Sequence, residues 1–105
     1  MSASAGIQGK LRKQYLSRLA DRMRRMRRDL VDRNWSVLKK ECRQLKGQGE
    51  AFHFFEITTL AEIAERAIPD GETSRAVAIP EAKLAVESLI AKIDFILVTS
   101  SLEKM

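Results

Sequence analysis

The chain has 105 residues, which is the size of one ordinary folded domain. Its 45% hydrophobic and 31% charged residues are typical of a globular protein, and no apolar run approaches the roughly 20 residues of a membrane-spanning helix. The single cysteine, Cys42, excludes an internal disulfide and a cysteine-rich zinc site and favours a reducing compartment. The first six residues, Met1–Gly6, are small and polar and lack the layout of a secretory signal. We therefore expect a flexible N-terminal tail over 1–9, one domain over 10–105, and a cytoplasmic protein.

The formal net charge of +5 is unevenly distributed along the chain. Residues 1–50 carry 14 basic and 5 acidic side chains, whereas residues 51–105 carry 5 basic and 9 acidic ones. The first half therefore predicts a basic surface, which suits an acidic protein, a nucleic acid or an anionic lipid.

The first predicted helix is defined by apolar residues that recur in steps of three and four, the spacing of one helix face. These are Leu16, Leu19, Met23, Met26 and Leu30. Five arginines between Arg22 and Arg28 occupy its remaining faces. Upstream, Ile7, Leu11 and Tyr15 stand four apart, so residues 7–15 indicate a short additional helix across one end of the fold.

The other three helices follow from the same rule and from their end signals. Asn34 suits the N-cap of a second helix that begins at Trp35 and carries the apolar stripe Trp35, Leu38, Cys42, Leu45, Gly49 and Phe52. A third apolar series runs from Ile57 to Ile68 and ends at Pro69-Asp70-Gly71. Pro80 and Glu81 open a fourth helix, whose predicted buried face is Ala82, Val86, Leu89, Ile93 and Ile96.

The fold class that follows is all-α. No segment alternates apolar and polar residues with a period of two, so no sheet is expected. Short connections between consecutive helices favour antiparallel neighbours. The sequence therefore predicts an antiparallel up-and-down four-helix bundle.

One face of the second helix is basic. At about 100° per residue, its members lie within about 60° of Arg43, and the apolar stripe is centred about 130° away. They are Lys39, Lys40, Arg43, Lys46 and Gly47. A glycine inside a helix costs roughly 1 kcal/mol relative to alanine. Either Gly47 keeps this face bare so that another surface can approach, or Gly47 or Gly49 ends the helix as a C-terminal cap. A plain solvated surface is the simpler alternative for the basic face.

These residues resemble the histidine-containing phosphotransfer (HPt) domain, a four-helix module of bacterial two-component phosphorelays. The family pattern Ala-His-x-Leu-Lys-Gly reads here as 42–47, Cys-Arg-Gln-Leu-Lys-Gly. The resemblance extends through 19–23 and 33–35 upstream and 54–61 downstream. It implies a monomeric signalling module that docks a response-regulator receiver domain or a hybrid histidine kinase. The sequence itself has no phosphate-binding glycine loop and no paired-histidine zinc motif, so no enzymatic activity, cofactor or metal is expected.

The family's phosphate-accepting histidine is replaced by Arg43, which keeps its proton and is not an imidazole nucleophile. The resemblance therefore implies receiver docking through the basic face without phosphate transfer. The only histidine, His53, lies ten residues further on, about 15 Å along a helix axis. A packing or capping role is the simpler interpretation of His53, and a phosphate carrier that uses His53 or another acceptor is one alternative function.

Nucleic-acid binding by the Arg22–Arg28 cluster is a second alternative. Nucleic acid is the less favoured partner, because these arginines spread around the helix and no aromatic platform accompanies them.

Overall fold

The computed structural model describes residues 2–69 and 78–103, which form four helices and contain no strand. The helices are α1 (Ser2–Val31), α2 (Trp35–Ala51), α3 (Phe55–Ala67) and α4 (Pro80–Glu103). Each helix packs against the next, and α4 packs against α1, so the four form a closed ring. The all-α four-helix prediction is confirmed.

Hydrogen bonds between α2 and α3 show that these helices are antiparallel. Lys39 at the start of α2 donates to the carbonyl of Ile68 just beyond α3. Near the end of α2, the carbonyl of Lys46 accepts from Thr58 at the start of α3. The partner numbers fall along α3 as they rise along α2, which is the up-and-down arrangement expected from the short connections.

The N-terminal part of the chain differs from the prediction. α1 is a single helix of 30 residues, so residues 7–15 do not form a separate helix across the bundle end. Residues 2–9, for which the sequence suggests a flexible tail, are helical as well. The stretch around Lys10–Lys13 has no proline and consists of good helix formers, so nothing interrupts α1 before Leu16. Tyr15 is buried and stacks on Phe52, which ties this part of α1 to the end of α2.

The turns after α1 and α2 have the same geometry. In the first, Arg33 adopts a positive φ of 55°, and the N–H of Asn34 donates to the carbonyl of Asp29. This is the Schellman arrangement, which satisfies helix-end carbonyls through one left-handed residue. Asn34 is the N-cap of α2 as predicted, but its side chain makes no capping bond and donates to Asp29 instead. The expected side-chain cap is therefore wrong.

The core lies inside the ring and contains no buried charged residue among those described. It comprises Tyr15, Leu19, Met23, Met26, Trp35, Leu38, Cys42, Leu45, Ile57, Ala61, Ala64, Ile68, Ala82, Val86, Leu89, Ile90 and Ile93. The predicted stripes thus supply the core, although Leu16, Leu30, Phe52, Leu60 and Ile96 are only half-buried at its edge.

α3 ends at Ala67, and Ile68 takes an extended conformation before Pro69, as residues that precede proline do. The predicted turn at Asp70-Gly71 lies outside the described residues. None of the described helices has the length and apolar composition that crossing a bilayer requires.

Candidate docking face on helix α2

α2 presents its predicted basic face away from the core. Leu38, Cys42 and Leu45 are fully buried, whereas Arg43 keeps 62% of its side chain exposed. Lys40 and Gly47 are also exposed, but Lys39 and Lys46 are half-buried against α3. The structure therefore brings the five predicted residues to one side of the helix and divides them into three exposed positions and two half-buried ones.

A carboxylate from α3 neutralises part of this face. Glu65 accepts from Arg43 Nε through one oxygen and from Lys46 Nζ through the other, both at 2.9 Å. The hydrogen bond from Lys46, followed in size by the one from Arg43, lowers the pKa of the Glu65 carboxyl below its ordinary value. Together these bonds outweigh the opposing effect of burial. The Nη groups of Arg43 have no partner among the described residues, so the outer edge of its guanidinium stays available to an anion.

The same side chains line an open cleft of about 500 Å³ between α2 and α3. Its lining consists of Lys39, Arg43, Lys46, Glu62, Glu65, Arg66, Ile68 and Pro69. Four basic side chains stand against two carboxylates there, so the cleft keeps a positive balance. The Lys39 ammonium, which donates to the Ile68 carbonyl, lies at the end of α3, where a cation is favourable to the helix dipole.

The two glycines of α2 have different surroundings. A Cβ built on Gly49 would lie 2.6 Å from Thr58 Oγ1 and 3.0 Å from the Phe54 carbonyl oxygen, so Gly49 permits the close packing of α2 against α3. A Cβ on Gly47 would meet nothing within 4 Å. Neither glycine ends the helix, since α2 continues to Ala51. Packing within the protein therefore requires a glycine at position 49. No contact among the described residues requires one at position 47.

His53 lies outside the docking face. It follows the end of α2 with a positive φ of 64°, its N–H donates to the Glu50 carbonyl, and the Phe54 N–H donates to the Gly49 carbonyl. His53 is thus the left-handed residue of a second Schellman turn, and its exposed ring contacts the edge of Phe55. The structure thus places His53 at a helix end, as the packing or capping interpretation expects.

Glu65 is the site residue that sequence reasoning missed. Its position on α3, three residues after Glu62, carries no signal of a partner on α2, because such a contact depends on how the helices are offset along their axes. Groups of histidine, cysteine or carboxylate side chains able to hold a metal ion are absent from the described part of the chain.

The chain matches no protein-family model, no curated protein and no solved structure.

Proposed function

We propose that this protein is an HPt-like docking module that binds receiver domains through the exposed face of α2 and does not carry phosphate itself. The single observation that carries the proposal is Gly47. It is exposed in the interior of a helix, with open space where a side chain would stand, on the face that also presents Arg43. A glycine that weakens its own helix and fills no internal need is explained by a partner that packs against the bare backbone.

The charges around Gly47 indicate the chemistry of that partner. Lys40 and the outer edge of the Arg43 guanidinium face solvent, and the neighbouring cleft keeps a positive balance. An acidic surface is complementary to this arrangement, and a carboxylate or phosphoryl group can pair with the two Nη groups of Arg43. The acidic cluster of a receiver domain fits this requirement.

The test adds bulk at the bare position. Gly47→Gln improves helix propensity and places its Cβ in open space at an exposed position, so we expect a folded protein at least as stable as the wild type. Calorimetric titration with the receiver domains of the source organism should detect binding by the wild type and its loss in Gly47→Gln. Ser88→Gln introduces the same side chain at an exposed position on α4 and is the control, which should bind like the wild type. Equal binding by wild type and Gly47→Gln would show that this face is not the docking site.

A second assay separates docking from phosphate transfer. Because arginine occupies the acceptor position, we expect the wild type to acquire no acid-labile phosphate from a phosphorylated receiver. Mass spectrometry of the reaction mixture is the measurement. Phosphohistidine at His53 would favour the active-carrier alternative instead.

A further inference from the structure

A second charged surface lies on α1 and plays no part in the docking face. Its members are exposed and lie within about 80° of one line along the helix, opposite the buried residues. They are Lys10, Lys13, Arg18, Arg24, Arg25 and Arg28. We call this set the α1 basic row. At 1.5 Å per residue it extends along about 27 Å of helix.

The row differs from the arginine cluster expected from the sequence. Arg22 belongs to the interface with α2, where it contacts Glu41 at 3.3 Å and donates to Gln44 at 3.1 Å. Because α1 continues without a break to the N-terminal side, Lys10 and Lys13 extend the row instead. Six exposed cations therefore lie on one side of the continuous helix, whereas Arg12, Arg22 and Arg27 lie outside that sector.

Most of this charge is not neutralised within the protein. Arg24 pairs with Asp21 at 3.0 Å, and Asp32, one helical turn after Arg28, is a second carboxylate on this side of the helix. The other five members of the row have no carboxylate partner among the described residues. Like-charged side chains on one helix face repel one another, so the binding of a polyanion that neutralises them is favourable.

We propose that the α1 basic row binds the phosphate backbone of double-stranded nucleic acid without reading its sequence. Four of its six members are arginines, whose guanidinium groups pair with phosphate oxygens through two hydrogen bonds. An anionic membrane is less suited, because the apolar residues of α1 are packed in the bundle core and are not available for insertion into a bilayer. The row contains no aromatic residue on which single-stranded bases would stack.

The test is fluorescence anisotropy of a labelled 20-base-pair DNA duplex titrated with the full chain at several salt concentrations. Each phosphate neutralised contributes about −0.9 to the slope of log K against log salt. The triple variant Arg24→Gln, Arg25→Gln, Arg28→Gln should bind at least roughly tenfold more weakly at 50 mM salt, with a slope shallower by roughly 2 to 3. Circular dichroism should show an unchanged helix content, since arginine and glutamine have similar helix propensities.

A control with the same change in net charge makes the result specific to α1. Lys40→Gln, Arg43→Gln, Arg66→Gln removes three exposed cations from α2 and α3 and should leave duplex affinity within roughly twofold and the slope unchanged. Equal weakening by both triple variants would show a general charge effect and overturn the proposal. So would binding of phosphatidylserine vesicles without binding of the duplex, or no duplex binding by the wild type at 50 mM salt. The α1 variant should retain receiver binding, so this test is independent of the docking face.

Discussion

The backbone conformation of His53 is strained, with a positive φ of 64°. A left-handed conformation costs a residue with a side chain roughly 1–2 kcal/mol, and glycine avoids this cost. The ring contributes only an exposed edge contact to Phe55. We therefore expect His53→Gly to stabilise the protein by about 0.5–1 kcal/mol, after allowing for the greater flexibility of glycine in the unfolded chain. Urea unfolding followed by circular dichroism measures the change.

His53→Ala is the control for this prediction, because alanine keeps the left-handed strain while it removes the imidazole. It should give no stabilisation. If alanine and glycine had the same effect, the imidazole rather than the backbone would determine the contribution of this position.

The pairing of Glu65 with Arg43 and Lys46 predicts a dependence of stability on pH. Because the folded state lowers the pKa of the Glu65 carboxyl, the stabilisation is present above the ordinary carboxyl pKa and is lost as the pH falls through the folded-state value. Glu65→Gln should therefore be less stable than the wild type at pH 7, and the difference should shrink towards pH 3. Chemical unfolding at both pH values is the measurement.

Glu62 provides a comparison on the same helix. It pairs with Arg66 one turn away, and both side chains are well exposed. Glu62→Gln should stay within about 0.5 kcal/mol of the wild type, as is usual for exposed ion pairs. A Glu65→Gln difference that persists unchanged at pH 3 would mean that the charge pairing is not its cause.

At the scale of the helix, the two glycines of α2 predict opposite responses to the same methyl group. Gly47→Ala adds its Cβ to open space and should stabilise the protein by about 0.5–1 kcal/mol. Gly49→Ala forces its Cβ against Thr58 and the Phe54 carbonyl and should destabilise it by about 1–3 kcal/mol. Urea midpoints of the two variants provide the comparison, and a gain in both would contradict the close packing of α2 against α3 at Gly49.

The same helix shows what sequence can and cannot predict. Steps of three and four correctly place Leu38, Cys42 and Leu45 in the core and Arg43 on the surface. The helical repeat alone determines on which side of the helix each residue lies. The partner of Arg43 depends on the offset between two helices, which local spacing does not contain, so Glu65 was not identified. The engagement of Lys39 with the end of α3 escaped prediction for the same reason.

At the scale of the molecule, the ring order separates the two proposed surfaces. The docking face lies on α2 beside α3, and the basic row lies on the solvent side of α1. The sequence predicts that the first half of the chain is basic. The structure divides cations of this half between two surfaces, the α1 basic row and the docking face on α2. A receiver and a duplex that bind to separate helices need not compete, since neither surface uses the side chains of the other.

Cys42 reports on whether the bundle unfolds as one unit. It is fully buried, and burial raises the pKa of its thiol to about 12, with smaller contributions from Glu65 and Glu41. Because the reactive form is the thiolate, the native thiol should resist an aromatic disulfide reagent at pH 8 until the core opens.

We expect the labelling rate of Cys42 to rise with urea in parallel with the loss of helix signal, because the stripe that holds this residue packs within the single core. Raising the pH should also weaken the fold. The folded state keeps the Cys42 thiol protonated, whereas the unfolded chain ionises it above a pKa of about 9, so stability is lost as the pH rises towards 12. Cys42→Ala provides the blank for the labelling reaction. Rapid labelling that is independent of urea would show that α2 separates from its neighbours while the remaining helices stay folded, and that the ring is not one cooperative unit.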